Sequence, residues 1–244
     1  GPIRFDESDL RWLLAHVGDL DGDIRDTLTY SLLERGFMSQ ALTPAQQLEI
    51  ATRAAQQGGL WQEIEQPQND AVFLRSFTAL LGALILSADA KQPFLSNTQR
   101  QTWFEWALKY LTLEQDRRGY VIGKGWAHAI AHGSDFLDAA IRHPQFPQTK
   151  LSQATAVVQH VLQATQTPFQ DDEEERLAVV LQTIANYPTG SKLVGNMLTK
   201  CHQEFWTSYQ QTSTDIVGYY RVSTLKRVCE ALYFLAPSMR QVTE

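Results

Sequence analysis

The sequence predicts an all-α protein of about ten helices packed as antiparallel pairs. That arrangement is a degenerate α-solenoid of the HEAT or armadillo kind, with a compact helical bundle as the alternative. Three observations carry the prediction. Apolar residues recur at helical spacing along nearly the whole chain. Capping and stopping residues bracket those stretches, and no run alternates convincingly enough to claim a strand.

The expected helices cover residues 6–17, 21–35, 44–57, 70–90, 97–113, 124–142, 152–165, 172–186, 191–211 and 214–235. Thr43-Pro44 places a hydroxyl at an N-cap and proline at the first helical position. The acidic run Asp171 to Glu175 sits at a helix start, where the macrodipole favours negative charge, and reads as a solvated first turn, with recruitment of a cation or a basic partner as the alternative. Stops fall at Gly58-Gly59, His143-Pro144 and Tyr187-Pro188. Internal similarity is faint. Ile24-Arg25 with Leu28, Leu32 and Leu33 loosely echoes Leu74-Arg75 with Leu80, Leu81 and Leu84, and again Glu175-Arg176-Leu177 with Val180, Leu181 and Ile184. The glycine-bearing loop at 115–125 and the turn at 144–147 are the main breaks, so residues 3–244 read as a single helical domain.

Composition narrows the function classes. At 43% hydrophobic and 20% charged residues the chain is globular and not disordered. A net charge of −6 argues against a general nucleic-acid binder, which needs a basic face to neutralise phosphate. The longest uninterrupted apolar passage, 79–86, is too short to span a bilayer. Gly1-Pro2 reads as a scar of proteolytic tag removal, and no charged-then-apolar segment follows it. Cys201 and Cys229 lie in helical stretches without metal or disulfide spacing and read as buried free thiols, which favours a cytoplasmic setting.

Chemistry concentrates at His128-x-x-x-His132-x-x-Asp135. On one helix these three side chains share a face, with Ala139 beside them and Lys124 and Arg142 at its edge. Trp126, Ile130, Leu137 and Ile141 occupy the opposite, buried side, and Gly133 there permits close approach of a neighbouring helix. His128 and His132 have the i, i+4 spacing of helical zinc sites. His128 and Asp135 would be roughly 10 Å apart along the axis, too far for one ion bound by all three. A divalent metal would therefore sit on the His128–His132 pair, completed by a carboxylate from another helix, with Asp135 orienting His132. Ala129-Ile130-Ala131 lacks the glutamate of a zinc protease. A solvated helix face and a metal-free polar pocket stay open beside the metal site. The preceding Arg117-Arg118-Gly119-Tyr120-Val121-Ile122-Gly123-Lys124-Gly125 has the cations and glycines to hold a small anion, or forms a flexible turn.

Other features read as structural. The aromatic-rich Trp103, Phe104, Trp106 and Tyr110 stretch is core packing, and Cys201-His202 points its members to different helix faces. Glu175-Arg176 is a candidate inward charge pair.

Asp116-Arg117-Arg118-Gly119-Tyr120, followed by the run from Gly125-Trp126-Ala127-His128 to His132-Gly133-Ser134-Asp135, resembles a bacterial family known as domain of unknown function 2785. Phe73-Leu74-Arg75-Ser76-Phe77 and Glu174-Glu175-Arg176-Leu177-Ala178 look like the same family's pattern. The resemblance implies an all-helical protein and draws attention to Asp116, Arg75 and Arg176 without assigning them roles.

Two function classes follow. One is a binding module that takes a protein or peptide partner. The other is an enzyme or small-molecule binder over His128, His132 and Asp135, helped by Asp116, Arg117 and Lys124. Its chemistry would be metal-assisted or general-base hydrolysis, or capture of an anionic ligand.

Overall fold

The structure is a computed structural model that describes residues 4–211 and 214–243, so the Gly1-Pro2 reading lies outside the described residues. The chain divides into two compact units, the first ending at Gln145 and the second beginning at Phe146. The first unit holds α1 (Glu7–Ala15), a π-helical segment (Asp23–Tyr30), α2 (Ser31–Met38), α3 (Pro44–Gln57), α4 (Ala71–Lys91) and α5 (Asn97–Leu113). A short hairpin, β1 (Tyr120–Val121) and β2 (Gly125–Trp126), then leads into α6 (Ala129–Arg142). The second unit holds α7 (Leu151–Gln163), α8 (Glu173–Ala185), α9 (Gly190–Gln211), α10 (Ile216–Leu235) and α11 (Arg240–Thr243). The protein is all-α with packed helices, and the hairpin is the one sheet among the described residues.

Local chemistry sets several helix starts. Asp6, Thr43 and Ser96 each accept from the third residue of their helix, and Asp9, Gln46 and Gln99 return the bond to the cap backbone. Each such capping box satisfies two amide donors that the helix cannot, and losing the cap side chain costs about 1 kcal/mol. Pro44 stands at the first turn of α3, where its missing N–H is not needed.

Two expected helices differ. The 21–35 stretch divides into the π-helical segment and α2, with Arg25 and Thr29 on the buried side of the π turn. The 124–142 stretch is shorter at its start, because Tyr120 pairs with Trp126 and Val121 with Gly125. Gly123 (φ 78°) and Gly125 (φ 79°) adopt the left-handed backbone this tight reversal needs, so the chain closes a hairpin before it can coil.

Helix α4 is the platform of the first unit. By length and composition it is apolar enough to cross a membrane, although no uninterrupted apolar run in it is that long. Most of it is buried inside the protein, which accounts for the composition: Val72, Phe73, Phe77, Leu81 and Ile85 are all core residues. It packs chiefly on α6. On its other side α6 meets α5 at Gly133, where an added Cβ would come within 2.8 Å of Leu111 Cγ and 2.9 Å of Tyr110 Cδ1.

The C-terminal end of α4 is held by a buried carboxylate. Asp89 accepts from the Phe94 and Leu95 amides at 2.8 Å, from Arg100 Nε at 2.5 Å and from His143 Nε2 at 3.0 Å. The Gln145 amide donates to His143 Nδ1, so the His143 proton sits on Nε2 and points at Asp89. Burial alone would raise the Asp89 pKa; the bonds from His143, Arg100 and the two amides reverse this and hold it well below the ordinary carboxylate range.

In the second unit, Leu177, Val180, Leu181 and Ile184 of α8 form the core with Val194, Leu198 and Phe205 of α9 and Val228 and Leu232 of α10. Cys201 and Cys229 are free, and burial pushes their thiols up to about 12 and about 11, which leaves them protonated and weakly nucleophilic.

Two outcomes are expected. Gly133→Ala overpacks the α5–α6 contact and should lower stability by about 1–3 kcal/mol in urea unfolding. Asp89 stabilises the fold fully above the unfolded aspartate value of ~3.9, and loses that contribution as pH falls toward its lowered native value. Asp89→Asn should therefore flatten the acid limb of stability against pH and, at neutral pH, cost about 3–5 kcal/mol for the stranded Arg100 charge.

Candidate functional site: a histidine pair at a hairpin–helix junction

The site grows from the hairpin. Arg25, fully buried, lays its guanidinium over the rings of Phe73 (4.3 Å) and Phe77 (4.9 Å). It donates to the carbonyls of Asp19 (2.6 Å), Lys124 (2.7 Å) and Trp126 (3.1 Å). One cation from the π-helical segment thus fastens the hairpin to the α4 platform. The Ala127 amide adds a bond to the Gly119 carbonyl at 2.8 Å.

His128 follows as the N-cap residue of α6, with left-handed backbone (φ 49°, ψ 34°). A non-glycine residue in that region costs roughly 1–2 kcal/mol and persists only where its surroundings enforce it. Here the imidazole stacks on Trp126, centroids 4.3 Å apart and planes at 24°, and meets His132 edge-on at 5.6 Å. His132 in turn stands edge-on to Phe77 at 4.8 Å and is buried. Its Nδ1 lies 2.7 Å from Ser76 Oγ, and the same hydroxyl bonds the Ala127 carbonyl.

Two imidazoles on one tetrahedral ion at ~2.0–2.1 Å per nitrogen place their ring centroids roughly 5–6 Å apart. The His128 and His132 centroids, 5.6 Å apart, fall within that range of ring spacing.

The remaining expected site residues go elsewhere. Asp116 is fully buried and forms a two-pronged ion pair with Arg118, whose Nη2 reaches the Asn69 carbonyl at 2.9 Å. Lys124 lies in the hairpin turn and pairs with Asp70 at 2.5 Å. Arg117 is half-buried, and desolvation lowers its pKa to about 10. Asp135 is half-buried on α6, three residues beyond His132. The structure brings His128 and His132 together as the spacing suggested, though not as two residues of one regular helix. Trp126 moves from the expected buried helix stripe to the face of His128.

Three contributors escaped the sequence reading. Ser76 and Arg25 act across 51 to 101 positions of chain, and no local spacing reports that. Glu114 is the third. Its carboxylate accepts from Arg75 Nε (2.7 Å) and Nη2 (2.9 Å), from Tyr110 (3.1 Å) and from the Asp116 amide (2.9 Å), and both charged side chains are fully buried.

In the second unit the acidic run is only partly solvated. Asp172 and Glu175 are exposed, as expected, but Glu173 and Glu174 are buried, and Asp172 before them has a left-handed conformation (φ 57°). Burial raises the Glu173 carboxyl to about 7, against the opposing bonds from the Asp171 and Glu173 amides. Glu175 and Arg176 are both exposed, so the buried carboxylates of this turn are the two preceding residues. Trp103, Phe104 and Tyr110 are buried core, as their composition predicted.

Fold and site together define an all-α protein with a pair of histidines at a hairpin–helix junction packed on an apolar helix of the first unit. The family described as Protein of unknown function (DUF2785) matches residues 60–234, and the chain belongs to it. No curated protein and no solved structure matches the chain.

Removing the Glu114 carboxylate strands Arg75 in the core. Glu114→Ala should cost about 3–5 kcal/mol in equilibrium unfolding, while the apolar double variant Arg75→Met/Glu114→Leu should recover much of it.

Proposed function

We propose that the protein is a non-catalytic binding module whose recognition site is the hairpin–helix junction of the first unit, with a divalent metal ion held between His128 and His132. The observation that carries this reading is the left-handed His128, kept against Trp126 and edge-on to His132 at a spacing that suits one shared ion. Imidazole nitrogen suits zinc, nickel, copper or iron over magnesium or calcium. Trp126, itself half-buried, adds an aromatic wall that a ligand or partner group on the metal would contact. A cytoplasmic setting accords with the free thiols of Cys201 and Cys229.

A second reading draws on the same ring. A neutral His132 with its lone pair on Nε2 is chemically able to serve as general base in a hydrolysis.

Calorimetric titration of metal-free, tag-free protein with zinc separates the readings. One tightly bound zinc per chain, weakened at least tenfold in both His128→Ala and His132→Ala, is the expected result. Absence of stoichiometric zinc, nickel or cobalt binding overturns the metal site. Turnover of an ester or amide panel that His132→Ala abolishes would favour the hydrolytic reading instead.

A further inference from the structure

Ser76 sits on α4, fully buried, 56 residues upstream of His132. Its Oγ touches two groups: the Ala127 carbonyl oxygen and His132 Nδ1. A serine hydroxyl has one proton and a carbonyl oxygen can only accept. The proton therefore goes to Ala127, and the bond to His132 must run the other way, from Nδ1–H to Oγ. In the neutral form of the ring, the lone pair is then on Nε2.

We infer that Ser76 is the positioning residue of the histidine pair: it fixes the Nδ1–H tautomer of His132 and so presents Nε2 as the ligand atom for a borderline divalent ion such as zinc. The inference rests on the binding-site reading given above. Metal-bound histidines regularly donate the second ring N–H to an oxygen, and loss of that partner costs 10–100-fold in metal affinity. Ser76 plays this part at Nδ1, where the spacing of the motif had suggested Asp135.

The same hydroxyl acts on His128. Ala127 immediately precedes it, so the bond to the Ala127 carbonyl helps to fix the left-handed turn that carries the first imidazole. Edge contact with Phe77, one residue beyond Ser76 on α4, holds the plane of the His132 ring. Both histidines are thus referenced to neighbouring residues of α4.

A serine beside a histidine also suggests a nucleophile and its base. The geometry argues against that use. The Ser76 proton is committed to a carbonyl, His132 faces Ser76 with a donor and not a base, and the serine is closed off from solvent.

The test reads the tautomer directly. Two-bond ¹H–¹⁵N correlation spectra of the metal-free full chain at about pH 8 should show His132 protonated on Nδ1 and not on Nε2. Ser76→Ala should shift the ring toward the Nε2–H form that free imidazole side chains favour. Zinc affinity should fall 10–100-fold in the same variant, with the far-UV circular dichroism of the wild type. An Nε2–H ring in the wild type overturns the inference without any variant, so a Ser76→Ala protein that fails to fold leaves it testable. A tautomer and zinc affinity unchanged by Ser76→Ala overturn it equally. If the tautomer behaves as stated but the wild type binds no zinc, the metal reading of the site fails and the Ser76 assignment stands.

Discussion

Arg75 and Glu114 meet in the interior of the first unit with no exposure of either side chain, and the geometry of the site loop is built outward from that pair. Taking both charges out of water costs several kcal/mol each, which only mutual contact and complete hydrogen bonding can offset. Here the requirement is met on both sides. Arg75 Nη1 donates to the Gln62 carbonyl and the Asn69 side chain, and Glu114 accepts from Tyr110 and the Asp116 amide. The pair thereby joins three pieces of chain: α4, the segment before it and the end of α5. From Glu114 the backbone passes directly to Asp116, whose carboxylate holds Arg118 and returns the loop to Asn69. The loop that reaches the hairpin is anchored at its root by this buried ion pair.

The platform above that root is a single face of α4. Phe73, Ser76 and Phe77 fall at helical positions i, i+3 and i+4, so they present one surface. Arg25 lies on the two phenylalanine rings and grips the hairpin by its carbonyls, while Ser76 grips the Ala127 carbonyl and the His132 ring. Arg75, between them in sequence, points its charge to the Glu114 network instead. One turn of helix divides its work between holding the scaffold and orienting the histidines, and the left-handed turn at His128 is sustained by this grip.

Much of the fold was legible in local patterns. The capping residues at Thr43 and the apolar periodicity of the 70–90, 97–113 and 172–186 stretches translate into helices because caps and amphipathic faces act within a few residues. Gly133 was legible as a close-packing point for the same reason. The π-helical turn around Arg25 and the hairpin at 120–126 were not. The π-helical segment carries Arg25, whose hairpin partners lie about a hundred residues away, and the hairpin turns on glycines that were equally compatible with an irregular loop. The burial of Glu173 and Glu174 was hidden likewise, because an acidic helix start satisfies the macrodipole whether it is wet or buried.

By itself the sequence determined the all-helical class and most helix limits, and it singled out His128 and His132 as the candidate pair, since periodicity, capping and residue chemistry are properties of neighbouring positions. Tertiary structure alone decided which atoms those histidines present. The conformation of His128 depends on a hairpin held by Arg25, and the tautomer of His132 depends on a serine proton spent on the Ala127 carbonyl. Hydrogen-bond direction is set by which groups meet, and these meet across 51 to 101 residues of chain, where no spacing rule reaches.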